Sequence, residues 1–159
     1  MTGSLSSLEG LVVPSENGQL RAWLADSWTT SADGLSVSFS LRRNAKFHDG
    51  TPVTAVVVAD VLKKKLPELL GPAFDDVREI SAPSDWQLRI DFNRPSRFVL
   101  EALETPIQKP GSTNIGTGPY SASPAKPSEL VANAGYYLGR PNIDRIEFIP
   151  YANVRTAWA

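Results

Sequence analysis

The chain has 159 residues and a formal net charge of -1, from 16 Lys+Arg against 17 Asp+Glu. That length suits one domain or a piece of something larger, and so balanced a charge supplies no field to steer it onto nucleic acid or an anionic membrane. With no cysteine and a single histidine, His48, the composition excludes thiol catalysis, disulfides, and cysteine-rich or histidine-rich metal sites.

The elements follow in chain order. Leu5 to Val13 reads as a short helical or extended entry, and Pro14-Ser15-Glu16-Asn17-Gly18 as a turn. Leu20, Trp23, Leu24 and Trp28 are the apolar positions of the next stretch, and Ser31-Ala32-Asp33-Gly34 turns again. Leu35, Val37, Phe39 and Leu41 alternate with Ser36, Ser38, Ser40 and Arg42, which predicts a strand with one face in the core. His48-Asp49-Gly50-Thr51-Pro52 is turn chemistry, with Asp49 closing an Asx-type turn. Thr54 opens a helix whose stripe is Val57, Val58, Val61, Leu62 and Leu66, and Pro67 limits it. Two strands follow, Asp76 to Ser81 and one with Trp86, Leu88, Ile90 and Phe92 inward, joined through Pro83-Ser84-Asp85. A helix from Pro95 or Ser96 to about Leu103, a loop with a short strand over 106–123, and strands at Leu130 to Ala132 and Ile143 to Ile149 complete the series. In the last strand Ile146 and Phe148 point inward. The chain then begins a helical pattern at Ala152 and stops at Ala159, which predicts a truncated unit. Hairpins and single helices in no regular alternation indicate an α+β, or mixed α/β, fold rather than a doubly wound sheet.

No apolar run approaches the roughly 18 residues of a membrane span. Met1-Thr2-Gly3-Ser4 lacks the basic and apolar parts of a signal peptide, so an export signal would have to lie outside this chain.

Residues that could carry chemistry each have a plainer reading. Gly111 to Gly118 is glycine-rich, but it has no Gly-Lys-Ser/Thr and Pro119-Tyr120 follows it, so it reads as a turn with glycines chosen for unusual φ. Lys63, Lys64 and Lys65 could form an anion site, but they suit the negative end of a helix. Asp75 and Asp76 are adjacent and point to opposite faces of a strand, and Asp33 stands apart from both. His48-Asp49 lies in a turn with no nucleophile placed beside it. Trp23, Trp28, Trp86 and Trp158 could stack on a ligand; Trp86 is expected in the core, while Trp23 and Trp28 are undecided.

The order of segments is more specific than any one of them. Leu24-Ala25-Asp26-Ser27-Trp28, Ser31-Ala32-Asp33-Gly34-Leu35, Val37 to Arg42 and Lys46-Phe47-His48-Asp49-Gly50-Thr51-Pro52-Val53-Thr54-Ala55 run in succession. Then come Ser84 to Phe92, Ile115-Gly116-Thr117-Gly118-Pro119-Tyr120, Asn133 to Pro141, and Ile143-Asp144-Arg145-Ile146 with Phe148 and Pro150. Together, over about residues 9 to 159, these resemble the family 5 extracellular solute-binding proteins of ABC transporters, the dipeptide-, oligopeptide- and nickel-binding group.

The resemblance implies part of the first lobe of a two-lobed periplasmic binding protein, with a mixed sheet, hairpins and two or three helices. It divides the chain into a first-lobe segment at 1–30, a smaller sub-domain at 31–112 and a return into the first lobe at 113–159. The implied function is capture of a small solute and its delivery to the ABC permease subunits in the membrane. The solute is a peptide first, with a nickel chelate or a sugar as alternatives. The implied setting is periplasmic or extracellular, with or without a lipid anchor on the parent. The alternative is a first-lobe-like sensing or interaction module of a regulatory protein. Glu104 and Thr105 are the ligand-facing candidates, because that segment faces the ligand in relatives. No catalytic residue, cofactor or metal site is carried over. Leu103-Glu104-Thr105-Pro106-Ile107 has no arginine where nickel-binding relatives place one, which counts against a nickel chelate. Val56-Val57 stands where relatives have Glu-Asp, and Tyr137-Leu138 where they have Tyr-Trp.

Overall fold

A computed structural model describes residues 7–96, 98–112 and 114–151. Three antiparallel sheets and two α-helices make up the described chain, an α+β arrangement. The entry hairpin pairs β1 (Val12–Pro14) with β2 (Leu20–Ala22) around a turn in which Gly18 takes φ +78°. The central sheet has the order β3-β4-β6-β5, from β3 (Ala25–Thr30), β4 (Ser36–Leu41), β5 (Val77–Ser84) and β6 (Gln87–Phe92). A third sheet runs β7-β8-β9, from β7 (Tyr120–Ala122), β8 (Glu129–Ala132) and β9 (Arg145–Glu147).

From Val37 on, the alternation in β4 does what its pattern predicts, whereas Leu35 precedes the strand half-buried and Ser36 is buried. Val37, Phe39 and Leu41 are buried, and Phe39 and Val37 pair across the ladder with Leu88 and Ile90 of β6. Each such side chain contributes about 1.5–3 kcal/mol through burial. Trp28 of β3 is half-buried over Phe39, with ring centroids 6.2 Å apart. On the other face Arg89 holds Asp91 at 2.7 Å and Arg78 reaches it at 3.4 Å, so the carboxylate lies under two guanidinium groups and is held below its ordinary range, chiefly by Arg89.

Helix α1 (Ala55–Leu70) covers the apolar face of β5 and β6 with Ala55, Val58, Ala59, Val61, Leu62 and Leu66. Thr54 occupies the N-cap without a side-chain cap bond, and the first helical N–H, on Ala55, is taken by the Asp85 carbonyl at 2.8 Å. The helix runs through Pro67 rather than ending there. A proline removes the donor for the carbonyl four residues back. That residue, Lys63, is exposed, so water can serve its carbonyl. Gly71 at φ +53° then closes the helix, its N–H reaching the Pro67 carbonyl. The last turn contains no basic residue, so Lys63, Lys64 and Lys65 sit mid-helix and not at the dipole's negative end. A 3₁₀ segment, Gly71–Asp76, leads into β5.

Other boundaries also differ from the sequence pattern. The β5–β6 turn is Asp85-Trp86, with Pro83 and Ser84 still in β5, so Trp86 stands half-exposed at a hairpin tip and is not a core residue. Helix α2 is only Phe98–Ala102. Strand β9 is shorter than Ile143 to Ile149, and Phe148 is 36% exposed, although its N–H still bonds the Ser128 carbonyl. The expected opening at Leu5 and Ser6, Thr113, and the helical pattern with Trp158 from Ala152 onward, lie outside the described residues.

Candidate functional site

Residues 9–11 meet the stretch 103–107, far away in sequence, through their backbone. Leu11 N–H bonds the Leu103 carbonyl at 3.0 Å, and Ile107 N–H bonds the Glu9 carbonyl at 2.8 Å. Glu9 and Ile107 thus form an isolated antiparallel bridge that clamps the loop between them. Gly10 makes the approach possible: a Cβ there would sit 2.6 Å from the Glu104 backbone. The backbone of the candidate Glu104 therefore lies directly against Gly10, and Thr105 follows it in the chain. Glu104 is exposed, Thr105 is half-buried, and neither side chain bonds another described residue. Lys65 reaches across from α1 and donates to the next carbonyl, that of Pro106, at 2.9 Å. The loop is thus fixed at its backbone, while the Glu104 and Thr105 side chains have no partner among the described residues.

Behind it lies a polar cluster that the sequence reading missed. Glu9 is 5% exposed, and four donors converge on its carboxyl group. Trp23 Nε1–H (2.5 Å) and the Tyr136 hydroxyl (2.6 Å) donate to Oε1, and the Thr117 (2.9 Å) and Tyr137 (3.0 Å) hydroxyls donate to Oε2. Burial pushes the Glu9 carboxyl above its ordinary value, and the four donors only partly oppose that. Both tyrosine hydroxyls are pushed up, first by burial and then by Glu9. Arg42 stacks over the Tyr137 ring at 5.7 Å and bonds Asp26 at 3.0 Å. The available signal is one acidic residue in the apolar run Leu8 to Val13; its partners are invisible from sequence.

His48 joins the same assembly from the other side. The Gly116 N–H can only donate, so Nδ1 is the acceptor (3.3 Å) and Nε2–H donates to the Gly118 carbonyl (3.1 Å). Both ring nitrogens are used by backbone, so the histidine fixes a tautomer and clamps the glycine-rich loop. Burial holds its pKa below the ordinary 6.5. The neutral form is thus the one that folds, so the stability it contributes is present above 6.5 and is lost as pH falls through its lower folded value. An NMR titration of the ring protons should give a pKa under 6.5; a value at or above it contradicts this arrangement.

The other sequence candidates resolve as structural. Asp49 accepts from the Thr51 N–H (3.1 Å) and hydroxyl (2.7 Å), the expected Asx turn, and pairs with Lys109, which is the first cause holding its pKa down at about 2. Asp33 accepts from the Ser31 hydroxyl and Leu35 N–H in its turn. In the glycine-rich loop Gly111 has φ +79°, but Gly116 does not take a positive φ. Its need is space, since a Cβ there would overlap the Ser7 carbonyl oxygen and lie 2.5 Å from Leu8 Cδ2. Among the described residues no group of three His, Asp or Glu could hold a metal ion, and no helix is long and apolar enough to cross a membrane.

Comparison with known proteins places this geometry. The nickel-binding periplasmic protein of Escherichia coli (strain K12) is 28% identical over 166 residues, covering 88% of this chain and 31% of the relative. The glutathione-binding protein GsiB of Shigella flexneri is 27% identical, over 95% of this chain and 34% of its own. The chain therefore spans about a third of the length of the curated relatives it matches. Among solved structures, the binding protein AgaA of A. tumefaciens R10, in complex with agropinic acid, superposes with a TM-score of 0.80 at 25% identity, over 97% of this chain and 35% of that one. The fold is accordingly that of a partial lobe of a periplasmic binding protein. The family model for bacterial extracellular solute-binding proteins, family 5 Middle, matches residues 19–159, and the chain belongs to that family.

Proposed function

We propose that this chain is the first-lobe part of the solute-binding component of an ABC importer, working in the periplasm or outside the cell. In this reading it captures a peptide or peptide-like solute and hands it to the membrane permease. The observation that carries the reading is the family match across residues 19–159. A relative that binds glutathione, itself a tripeptide, supports the peptide class. Glu104 and Thr105 supply polar groups with no partner among the described residues on a clamped loop, as a carboxylate for a ligand ammonium and a hydroxyl for a peptide group. The division into segments 1–30, 31–112 and 113–159 is part of the same proposal.

The test is calorimetric titration of the full-length parent with a panel of di- and tripeptides, glutathione, a nickel–histidine chelate and sugars. Saturable binding of a peptide is expected. Glu104→Ala and Thr105→Ala should each weaken it about tenfold, the loss of one hydrogen bond to a charged or buried partner. Binding confined to sugars or metal chelates removes the peptide assignment, and unchanged affinity in both variants removes these two residues from the site. Cell fractionation tests the setting: a product near 17.3 kDa confined to the cytoplasm would replace transport with a sensing or interaction module.

A further inference from the structure

The mid-helix position of Lys63, Lys64 and Lys65 leaves the triplet without the helix-dipole role its sequence suggests. Lys64 and Lys65 instead line a cavity of about 210 Å³ between α1 and the loop 108–112, together with Asp60, Gln108, Lys109 and Ser112. Two of its cations are anchored from behind: Lys65 donates one proton to the Pro106 carbonyl, and Lys109 pairs with Asp49. An ammonium has three protons, so that one bond leaves each anchored lysine two more to donate. Lys64 has no partner among the described residues. The Ser112 hydroxyl oxygen accepts the N–H groups of Asn114 (3.3 Å) and Ile115 (3.2 Å), which leaves its own proton to donate. The side-chain carboxylate on the lining is that of Asp60. Asp49 and Asp60 offset two of the three lysines, and one positive charge is left over.

A lining with three lysines and a serine hydroxyl set against the Asp60 carboxylate and the Gln108 amide is net positive and suits a ligand that only accepts. The cavity is smaller than the roughly 300–1,000 Å³ typical of drug-sized ligands, so the fit is to a small ion or the end group of a larger molecule. We infer that Lys64, Lys65, Lys109 and Ser112 form a binding site for a small oxyanion, a phosphate or a carboxylate group. The site is built on α1 and the loop 108–112 and does not include Glu104 or Thr105, so it stands whether or not the solute assignment does.

The experiment is an amide NMR titration of the 159-residue chain with inorganic phosphate and, separately, acetate, at constant ionic strength with chloride as the balancing anion. Saturable shifts centred on Lys109, Gly111 and Ser112 are expected, and whichever anion binds more tightly identifies the head group. Lys64→Gln should weaken binding about tenfold, as expected for losing a hydrogen bond to a charged group. Lys63→Gln is the control, because Lys63 is exposed and does not line the cavity; it should leave the affinity unchanged. Both substitutions are at exposed positions, so the amide spectrum itself reports that each variant is folded. The inference is overturned if neither anion gives saturable shifts, if the shifts scatter over lysines generally, or if Lys63→Gln weakens binding as much as Lys64→Gln.

Discussion

Replacing Glu9 with alanine is expected to destabilise the fold by about 3–4 kcal/mol, because it strands several donors that share one buried acceptor. Trp23, Thr117, Tyr136 and Tyr137 all spend their polar hydrogens on this carboxyl group. A hydrogen bond that forms contributes little net, whereas each buried donor left unpaired costs about 1–3 kcal/mol. Glu9→Gln keeps one acceptor oxygen and presents an NH₂ to two donors, so it should fall between, at about 2 kcal/mol. Urea unfolding measures both, and an alanine variant within about 0.5 kcal/mol of the parent, the range of an unremarkable surface change, would rule the cluster out as a structural clasp. The pH dependence has a definite sign. The folded Glu9 pKa lies above the ordinary 4.5, so its stabilising contribution is full below 4.5 and is lost as pH rises through the folded value. His48 acts in the opposite direction, its contribution being lost as pH falls from 6.5 through a lower folded value. Glu9→Gln cannot ionise and should remove the first slope while leaving the second.

Gly116→Ala is expected to be nearly as damaging, at about 3 kcal/mol, the upper end of what overpacking usually costs. The added methyl would overlap the Ser7 carbonyl oxygen and press Leu8, and backbone cannot step aside as a flexible side chain can. Separation there would also stretch the Gly118 N–H bond to Ser7 (3.1 Å) and the His48 N–H bond to the Gly116 carbonyl (2.9 Å). Gly50→Ala is the informative contrast, since Gly50 has φ +84° and open space around it, so its cost is the conformational one of about 1 kcal/mol. Thermal or urea unfolding of the pair separates crowding from φ strain. Equal losses at both positions would contradict the close-approach explanation.

What was legible in the sequence was local. The period-two pattern of Val37, Phe39 and Leu41 and the stripe at Val58, Val61, Leu62 and Leu66 both identify buried faces, because each depends only on residues within the element. The misplacements share one physical cause. Trp86 extends the alternation of Leu88, Ile90 and Phe92 one step past the end of the ladder, and Phe148 does the same beyond β9. Parity fixes the face on which a side chain lies, but burial needs a neighbour to cover it. Pro67 is read as a helix stop by its chemistry, yet the helix passes through it at a solvent-facing position where a lost bond is cheap. Glu9 was illegible for a stronger reason. Its partners stand 14, 108, 127 and 128 residues away, so no local spacing records them. The candidate loop at Glu104 and Thr105 remains a proposal from family resemblance, and its backbone approach to Gly10 is visible only in three dimensions.

Those same separations set an order of assembly. Strands β3 to β6 and α1 all lie between Ala25 and Phe92, and their widest strand pairing, Ser36 with Asp91, spans 55 residues, about half the separation of Glu9 from Thr117. The bonds from Glu9 to Thr117, Tyr136 and Tyr137 close loops of more than a hundred residues, whose entropy cost must be met before the bonds form. The central sheet and its helix are therefore expected to form the nucleus, with the Glu9 contacts made after the barrier. Glu9 variants should consequently leave the refolding rate almost untouched and appear as faster unfolding, with Φ-values near zero. In that picture the Glu9 cluster governs how long the folded chain lasts and not how quickly it is reached.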